Sequence, residues 1–302
     1  MPPSINYDSP RDLRIFLEEQ GLGMRKKYGQ NFLVNREARR RILDALEIRQ
    51  GDRVWEIGPG LGAMTGDLLD RGALVGAFEI DPGFIRVLKE LWGENRNFTL
   101  IEGDVLKTWR TGDPGGEYLL GNLPYTIGAV LLGDLIESKR FFKRMVITIQ
   151  KEVARRMSSG PGQGDYTSLS VLCASAYTIR PVQVLRPSSF YPVPHVDSQA
   201  LRFDLRTDID PSGYPPFFYS LVRSLFSSRR KTVKNNLSGF VASSGKGGIR
   251  DRPGKAGEGQ VREIAEEVLK TSGISPERRA ETLSLEDFLN LAGVLEEQYG
   301  YC

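Results

Sequence analysis

The sequence is poor in the side chains that build metal sites and disulfides. Its 302 residues include two cysteines, Cys173 and Cys302, and a single histidine, His195. Two cysteines predict neither a disulfide framework nor a zinc site. One histidine leaves little material for a histidine-based metal centre or a catalytic triad. We therefore expect chemistry without a metal ion and assign His195 a surface or packing role.

Long apolar runs are also missing. No segment approaches the roughly 18 apolar residues that a membrane span requires. Residues 1–20 mix acids with bases and lack the apolar stretch of a signal peptide. We therefore expect a cytoplasmic protein without membrane contact. With 40% apolar residues, the chain is long enough for one large domain and a small second one.

A strong net charge is absent, since the formal net charge is only +3. The distribution of charge is more informative. Between Arg223 and Lys255 there are nine basic residues and one acid, Asp251. Such clusters are typical of phosphate binding and also of solvated helix faces, so charge alone does not decide between the two. A second basic cluster consists of Arg25, Lys26, Lys27, Arg36, Arg39, Arg40 and Arg41.

The chain does contain a regular alternation of short apolar segments and helical patterns. This alternation predicts a doubly wound α/β fold, with a parallel sheet covered on both faces. The predicted strands are 53–57, 73–80, 98–104, 118–122 and 145–150, and the predicted helices are 9–17, 35–46, 64–70, 82–92 and 127–137.

The pattern changes in the second half of the chain. A helix is predicted at 168–177, followed by two strands that suit a hairpin-like element, at 182–186 and 200–205. After residue 208 the pattern is helical, at 217–226, 261–269 and 285–295, and no strand is expected. We therefore divide the chain into an α/β domain, residues 1–206, and a small helical domain, residues 207–302. Residues 242–259 are rich in glycine, serine and charge, which predicts a loop.

A glycine cluster follows the first predicted strand, in EIGPGLGAMT (56–65). Gly58, Gly60 and Gly62 let the backbone turn tightly and approach a ligand closely. Read as G-x-G-x-x-A, ending at Ala63, the segment fits a dinucleotide-binding turn. Read as E-x-G-x-G-x-G, it fits the loop of Rossmann-like class I methyltransferases. A purely structural turn is the third interpretation, and all three stay open at this point.

Acidic residues end the next two strands. Glu79 can accept hydrogen bonds from both hydroxyls of a ribose. Asp104 can accept from an adenine amino group, or it can simply cap a helix. Because the carboxyl ends of parallel strands meet at one edge of the sheet, the glycine loop and both acids predict a site for an adenosine-containing cofactor.

The fourth strand ends in Asn122-Leu123-Pro124-Tyr125. The exocyclic amine of adenine is a poor nucleophile, because its lone pair is delocalised into the ring. The Asn122 side-chain oxygen and the Leu123 carbonyl can accept from its two N–H groups and direct the lone pair at a methyl sulfonium. Pro124 holds Leu123 extended, and Tyr125 can stack on the base. An ordinary Asn-x-Pro turn is the alternative.

A base in an RNA helix must be flipped out to reach such a pocket, where aromatic faces can hold it. The proline-stiffened segment SSFYPVPHVDS (188–198) offers Phe190 as the wall opposite Tyr125. Packing of Phe190 against the sheet is the alternative, and the sequence does not distinguish the two.

With these motifs in place, the sequence resembles the KsgA family of ribosomal RNA adenine dimethyltransferases over nearly its whole length. The resemblance implies S-adenosylmethionine as the cofactor and a class I methyltransferase fold. The matching segments are KKYGQNFL (26–33), EIGPGLGAMT (56–65), FEID (78–81), EGD (102–104), GNLPY (121–125), QKEVARRM (150–157), FYPVPHVDS (190–198), SSRRKTVKNNL (227–237) and RRAETLSLEDF (278–288). The implied cofactor contacts are Asn31 and Leu33 at the methionine end, Gly58 and Gly60 beside it, Glu79 on the ribose, Asp104 on the adenine and Asn122 next to the target amine.

The resemblance also implies a substrate. A monomeric enzyme would transfer four methyl groups to two adjacent adenosines near the 3′ end of 16S rRNA, within an assembling 30S subunit. Residues 1–206 would bind the cofactor and catalyse, and residues 207–302 would bind rRNA. The phosphate contacts would be Arg223, Arg229, Arg230, Lys231 and Lys234.

The sequence departs from the family at three places. Gly128 lies in a TIGAVLL segment (126–132) where serine is frequent, His195 stands where lysine is usual, and 242–259 resembles an insertion. Three other functions remain open: an Erm-type enzyme of large-subunit rRNA, a non-catalytic assembly factor, and a nicotinamide-dependent oxidoreductase. The C-terminal segments favour the small-subunit enzyme, and the intact NLPY motif favours catalysis.

Overall fold

The computed structural model describes residues 5–24, 29–123, 127–244 and 258–301. The chain forms two compact units. The first comprises Met1–Ala154 and Tyr177–Leu205, and the second comprises Arg155–Ala176 and Arg206–Cys302. Within the described ranges, no helix has the length and apolar character needed to cross a membrane.

The first unit is built on a mixed sheet. The strands are β1 Phe32–Leu33, β2 Arg53–Ile57, β3 Leu74–Glu79, β4 Phe98–Glu102, β5 Tyr118–Asn122, β6 Arg144–Gln150, β7 Tyr177–Leu185, β8 Phe190–Tyr191 and β9 Ser198–Leu205. Among the described residues, the main sheet has the order β4-β3-β2-β5-β6-β9-β7. Strands β2 to β6 pair in parallel, whereas β9 is antiparallel to both β6 and β7. The small pair β1 and β8 forms a separate antiparallel ribbon.

Helices cover this sheet and begin at recognisable caps. The helices of this unit are α1 Pro10–Glu19, α2 Arg36–Leu46, α3 Ala63–Asp70, α4 Pro82–Trp92, α5 Val105–Thr108 and α6 Gly128–Glu137; helix α7 Lys151–Ser158 begins in this unit and ends in the second. The side chains of Ser9, Asn35 and Asp81 accept hydrogen bonds from Asp12, Ala38 and Gly83 backbone N–H groups. Such caps satisfy N–H groups that have no partner inside the helix.

The core lies on both faces of the parallel strands. Val54 and Leu120 are completely buried on one face, and Trp55 and Leu119, which point to the other face, are at most 2% exposed. A parallel sheet covered on both sides requires apolar side chains at nearly every position, which explains the continuous apolar runs in the sequence. The predicted α/β fold is confirmed.

The second unit is helical in its described part. Its helices are α8 Ser168–Ala176, α9 Phe218–Leu225, α10 Val233–Ser244, α11 Glu258–Thr271 and α12 Leu285–Tyr299. Helix α12 begins at a capping box in which Ser284 and Asp287 bond reciprocally. The Phe226 and Phe288 rings stack with their centroids 5.9 Å apart, and this contact packs the first turn of α12 against Phe226.

Three sequence-based expectations need correction. Residues 155–176 belong to the second unit rather than to the 1–206 domain, because α8 packs against α9 and α12. Strand β7 begins at Tyr177, five residues before the expected start at 182, and pairs along β9. The expected 242–259 loop is too long, since 242–244 end α10 and 258–259 begin α11; residues 245–257 lie outside the described part.

Candidate active site

One cavity of about 320 Å³ lies at the carboxyl ends of the parallel strands. Pockets for small molecules and cofactors occupy roughly 300–1,000 Å³. The structure brings together all seven residues that the sequence assigned to a cofactor, since the cavity is lined by Asn31, Leu33, Gly58, Gly60, Glu79, Asp104 and Asn122. Their individual roles toward a ligand stay predictions.

The glycine loop supplies the floor of this cavity. Gly58 follows β2, and its N–H donates to the Phe78 carbonyl at 2.9 Å, which ties the loop to β3. Gly60 has φ of 60°, and a Cβ there would lie 3.1 Å from the Phe32 ring. Only glycine adopts this conformation without strain. The loop therefore exposes bare backbone to the cavity.

Glu79 fixes the glycine loop from the end of β3. One carboxylate oxygen accepts from the Gly60 N–H at 3.0 Å, and the other accepts from the Ile80 and Asp81 N–H groups at 2.9 and 2.8 Å. The side chain is buried, and this burial raises its pKa to about 7 despite the backbone donors. A carboxylate offers about four acceptor positions, so capacity remains for a hydroxyl in the cavity.

Asp104 satisfies both interpretations of its sequence position. It is the N-cap of α5, and one of its oxygens accepts from the Leu106 N–H at 3.1 Å. The same half-buried residue lines the cavity. Helix capping fixes the carboxylate in place without removing it from the site.

Asn122 is oriented by a long-range hydrogen bond. Its Nδ2 donates to the Asn31 carbonyl at 2.9 Å, across 91 residues of sequence. Since the donor end of the amide is held in this way, Oδ1 is the end left to accept from a ligand. The Leu123 N–H donates to the Thr148 carbonyl at 2.9 Å, and the Leu123 side chain is buried. Pro124 and Tyr125 lie outside the described residues.

Phe190 is not brought to the cavity by the described part of the chain. Its ring is 2% exposed and packs in the core that contains Leu33 and Leu185. In the β1–β8 ribbon, Phe190 pairs with Leu33 and Tyr191 pairs with Phe32. The structure therefore places Phe190 in the packing role, and contact with a flipped base stays a prediction.

The five predicted phosphate-binding residues all lie on the second unit. Arg223, Arg229, Arg230 and Lys231 are exposed, and Lys234 is half-buried. Arg229 donates to the Gly164 carbonyl at 2.9 Å and lies 3.4 Å from Glu281, while Lys234 pairs with Glu266. Exposed ion pairs of this kind contribute little free energy, so they do not prevent contacts with another anion. RNA binding by these residues stays a prediction.

The sequence motifs missed several cavity residues, among them two polar ones. Tyr7 and Arg39 line the same cavity. The sequence grouped Arg39 with an exposed basic cluster, but the residue is only 5% exposed. The helical spacing does indicate that Arg39 is buried, because Arg39 lies three and four residues before the buried Ile42 and Leu43 and therefore shares their face of the helix.

Glu56 is a second buried carboxyl, in β2 two residues before Gly58 of the glycine loop. One oxygen accepts from the Thr65 hydroxyl at 2.6 Å, and the other has no hydrogen-bond partner among the described residues. Burial raises the pKa of Glu56 to about 8. Ionising this group in the folded protein is therefore costly.

The two raised pKa values predict that stability falls as pH rises from about 4.5 to about 8. Between the ordinary glutamate pKa of 4.5 and folded values of about 7 for Glu79 and 8 for Glu56, the folded state holds protons that the unfolded state has lost. The free energy of unfolding should therefore fall as pH rises through this window, by about 1.4 kcal/mol per pH unit for each group. Urea unfolding between pH 6 and 8 measures this slope.

Substituting Glu56→Gln should make that slope shallower. Glu47→Gln is the matched control, because Glu47 is exposed and its pKa is lowered, first by the Arg202 hydrogen bond, so it is already ionised at pH 6. Identical slopes in the wild type and in Glu56→Gln would contradict the assignment of a protonated Glu56.

Comparisons with known proteins agree with this site. Residues 21–250 match the family described as Ribosomal RNA adenine dimethylase. A Treponema denticola protein named Ribosomal RNA small subunit methyltransferase A is 42% identical, over 97% of this chain and 96% of its own length. A Borreliella burgdorferi protein of the same name is 34% identical, over 97% of this chain and 96% of its own length.

Solved structures give the same result. A dimethyladenosine transferase from Plasmodium falciparum superposes with a TM-score of 0.71 at 27% identity, covering 88% of this chain and 98% of that one. The 23S rRNA methyltransferase ErmE has a TM-score of 0.60 at 24% identity, with 88% and 99% coverage, and shows the shared fold. The family match spans most of the sequence, and the chain accordingly belongs to the ribosomal RNA adenine dimethylase family, whose members are methyltransferases.

Proposed function

We propose that this enzyme uses S-adenosylmethionine to dimethylate the N6 amines of two adjacent adenosines near the 3′ end of small-subunit rRNA. The observation that carries the proposal is the oriented Asn122 amide, which presents Oδ1 beside a cavity that also holds Glu79 and Asp104. An acceptor for the target amine and two acceptors for an adenosine cofactor therefore meet in one place. The relatives in Treponema and Borreliella are named for the small ribosomal subunit.

The residues present fit S-adenosylmethionine. Glu79 would accept from the ribose hydroxyls and Asp104 from the adenine amine, while the bare backbone at Gly58 and Gly60 permits close approach. Asn31 and Leu33 would hold the methionine end. The cofactor supplies a methyl group already activated by the sulfonium charge, so the protein needs to supply position and polarity rather than a metal ion.

Asn122 and Leu123 would hold the target nitrogen. The Asn122 Oδ1 and the Leu123 carbonyl would accept hydrogen bonds from the two N6–H groups. The nitrogen lone pair would then no longer be delocalised into the adenine ring and would point toward the methyl group. Two hydrogen bonds in the structure support this geometry. The Asn122 Nδ2 donates to the Asn31 carbonyl, and the Leu123 N–H donates to the Thr148 carbonyl. Tyr125 would stack on the base.

The cations of the second unit, four of them exposed and one half-buried, support a phosphate-bearing partner. Arg223, Arg229, Arg230, Lys231 and Lys234 would bind rRNA phosphates within an assembling 30S subunit. We further propose that the enzyme acts as a monomer in the cytoplasm, where subunits are assembled, with the first unit catalysing and the second binding RNA.

Methylation of isolated ribosomal subunits tests this proposal. Small subunits from a strain lacking the protein should accept close to four methyl groups each from labelled S-adenosylmethionine, because two amines each take two. Mass spectrometry of the digested RNA should identify N6,N6-dimethyladenosine, and primer extension should stop at two adjacent positions near the 3′ end.

Two controls sharpen this experiment. Small subunits from the wild-type strain should accept almost no label, since their adenosines are already methylated. Large subunits should also stay unlabelled. Incorporation into large subunits alone would replace the proposal with an Erm-type activity.

A further inference from the structure

The N-terminal segment, residues 5–20, contributes to the wall of the cofactor cavity. Tyr7 and Leu13, which belong to this segment, both line the cavity. Residues 5–20 precede the part of the chain that matches the family, so the features that define the family do not account for these two lining residues. The role of the segment therefore depends on its own contacts with the rest of the first unit.

Helix α1 fixes this segment to the first unit. Three apolar side chains of α1 are buried, and they pack in one cluster with Leu61 of the glycine loop and Phe84 of α4. Just after the end of α1, the Arg86 guanidinium donates to the Gln20 carbonyl at 2.8 Å. Burial of apolar surface is the main force that holds such elements together. Residues 5–20 are therefore a packed part of the first unit.

The Tyr7 hydroxyl holds the glycine loop. It donates to the Leu61 carbonyl at 2.8 Å, and Leu61 stands between Gly60 and Gly62. Two other hydrogen bonds, from the N–H groups of Gly58 and Gly60, tie the loop to β3. Because glycine has the most flexible backbone of all residues, a loop with three glycines needs such contacts to keep one shape. Tyr7 supplies one of them from a second element.

The Tyr7 backbone is linked to another wall of the cavity. Its carbonyl accepts from Arg39 Nη1 at 3.4 Å, and the same Nη1 donates to the Leu33 carbonyl at 2.7 Å. Leu33 and the glycine loop both line the cavity. Tyr7 therefore connects two of its walls.

We propose that Tyr7 is a positioning residue of the cofactor site, and that its hydroxyl holds the glycine loop in the shape that receives the cofactor. The proposal rests on the proposed function above only for the identity of that cofactor. Because the loop exposes bare backbone to the cavity, its position sets how closely a ligand can approach. A loop without this contact must be ordered when the ligand binds, and that ordering costs affinity.

Substituting Tyr7→Phe removes the hydroxyl and keeps the ring. Calorimetry on the full chain should show that S-adenosylhomocysteine binds about 2- to 10-fold more weakly, the usual effect of losing one hydrogen bond between uncharged groups. In methylation of small subunits, the KM for S-adenosylmethionine should rise by a similar factor. The kcat at saturating cofactor should stay nearly unchanged, because the bound cofactor orders the loop again.

Tyr166→Phe is the matched control. Tyr166 also donates its hydroxyl to a backbone carbonyl, that of Leu283 at 3.0 Å, but both of these residues lie in the second unit. Both substitutions should lower the urea midpoint of unfolding, because each removes one hydrogen bond of the same kind. Only Tyr7→Phe should weaken the binding of S-adenosylhomocysteine.

Equal affinities of the wild type and Tyr7→Phe, or equal losses in Tyr7→Phe and Tyr166→Phe, would overturn the role of Tyr7. If the wild type binds no S-adenosylhomocysteine, the proposed cofactor is wrong instead, and hydrogen exchange tests Tyr7 without a ligand. The backbone amides of residues 60–63 should then exchange faster in Tyr7→Phe than in the wild type. Equal exchange rates would refute the contribution of Tyr7 to the loop.

Discussion

Substituting Asn122→Ala is expected to slow methyl transfer to small subunits by about 100- to 1,000-fold, the usual effect of removing one preorganised polar contact from a transition state. The change removes Oδ1, the proposed acceptor for the target amine, and also the Nδ2 contact to the Asn31 carbonyl. The Glu79 and Asp104 side chains remain, so the cofactor should bind within about tenfold of the wild-type affinity, since only one of several contacts is lost. Single-turnover methylation and calorimetry measure the two quantities.

A second substitution at the same position tests how the amide is oriented by the Asn31 carbonyl, separately from its role as a hydrogen-bond acceptor for the target amine. Asn122→Asp retains an acceptor of the same size but cannot donate to the Asn31 carbonyl, so it should also be slow. Asn95→Ala, an exposed asparagine in the turn before β4, is the control and should keep the full rate. Full-rate transfer by Asn122→Ala would refute the proposed catalytic role.

Replacing Arg229, Arg230 and Lys231 together with alanine is expected to weaken binding to the small subunit and to flatten its dependence on salt. Each phosphate contact releases counterions and contributes about 0.7 to 0.9 to the slope of log affinity against log salt. Losing three contacts should therefore lower the slope by about 2 to 3. All three side chains are exposed on the second unit, and Arg229 gives up a surface ion pair with Glu281 and a hydrogen bond to the Gly164 carbonyl.

Sedimentation at several salt concentrations measures binding to the small subunit and tests this prediction. A control triple substitution of Arg11, Arg14 and Lys89 removes the same formal charge from exposed positions on α1 and α4 and should change the slope little. Affinity for S-adenosylhomocysteine should be unchanged in both variants. A slope that stays at the wild-type value in the Arg229, Arg230 and Lys231 variant would exclude direct phosphate contacts.

The sequence predicts the site well where strand ends determine it. Strands β2 and β5 match their predicted bounds, because turn residues and a change of polarity mark both ends. Once parallel strands are assigned, their carboxyl ends must converge, so the meeting of Glu79, Asp104 and Asn122 follows without any knowledge of side-chain contacts.

The features that the sequence did not predict depend on long-range packing, which a local sequence pattern does not show. The prediction missed helices α5, α7 and α10. The segment QKEVARRM, which contains most of α7, is polar, and the segment SSRRKTVKNNL is polar up to Val233, where α10 begins. Tyr7 reaches the cavity through a hydrogen bond to Leu61, 54 residues away. Phe190 illustrates the limit, because either face of its strand is compatible with the sequence, and only the ribbon with β1 places its ring in the core.

The β1–β8 ribbon has a consequence for how the enzyme is made. Segment 29–34 carries Asn31 and Leu33, yet its backbone partners are residues 189–191, including the Ser189 carbonyl that accepts from the Val34 N–H at 2.9 Å. Translation delivers the first segment long before the second. The nascent chain therefore has every strand of the parallel sheet before the wall of its cofactor cavity can be closed, and ligand binding becomes one of the last properties that the emerging first unit acquires.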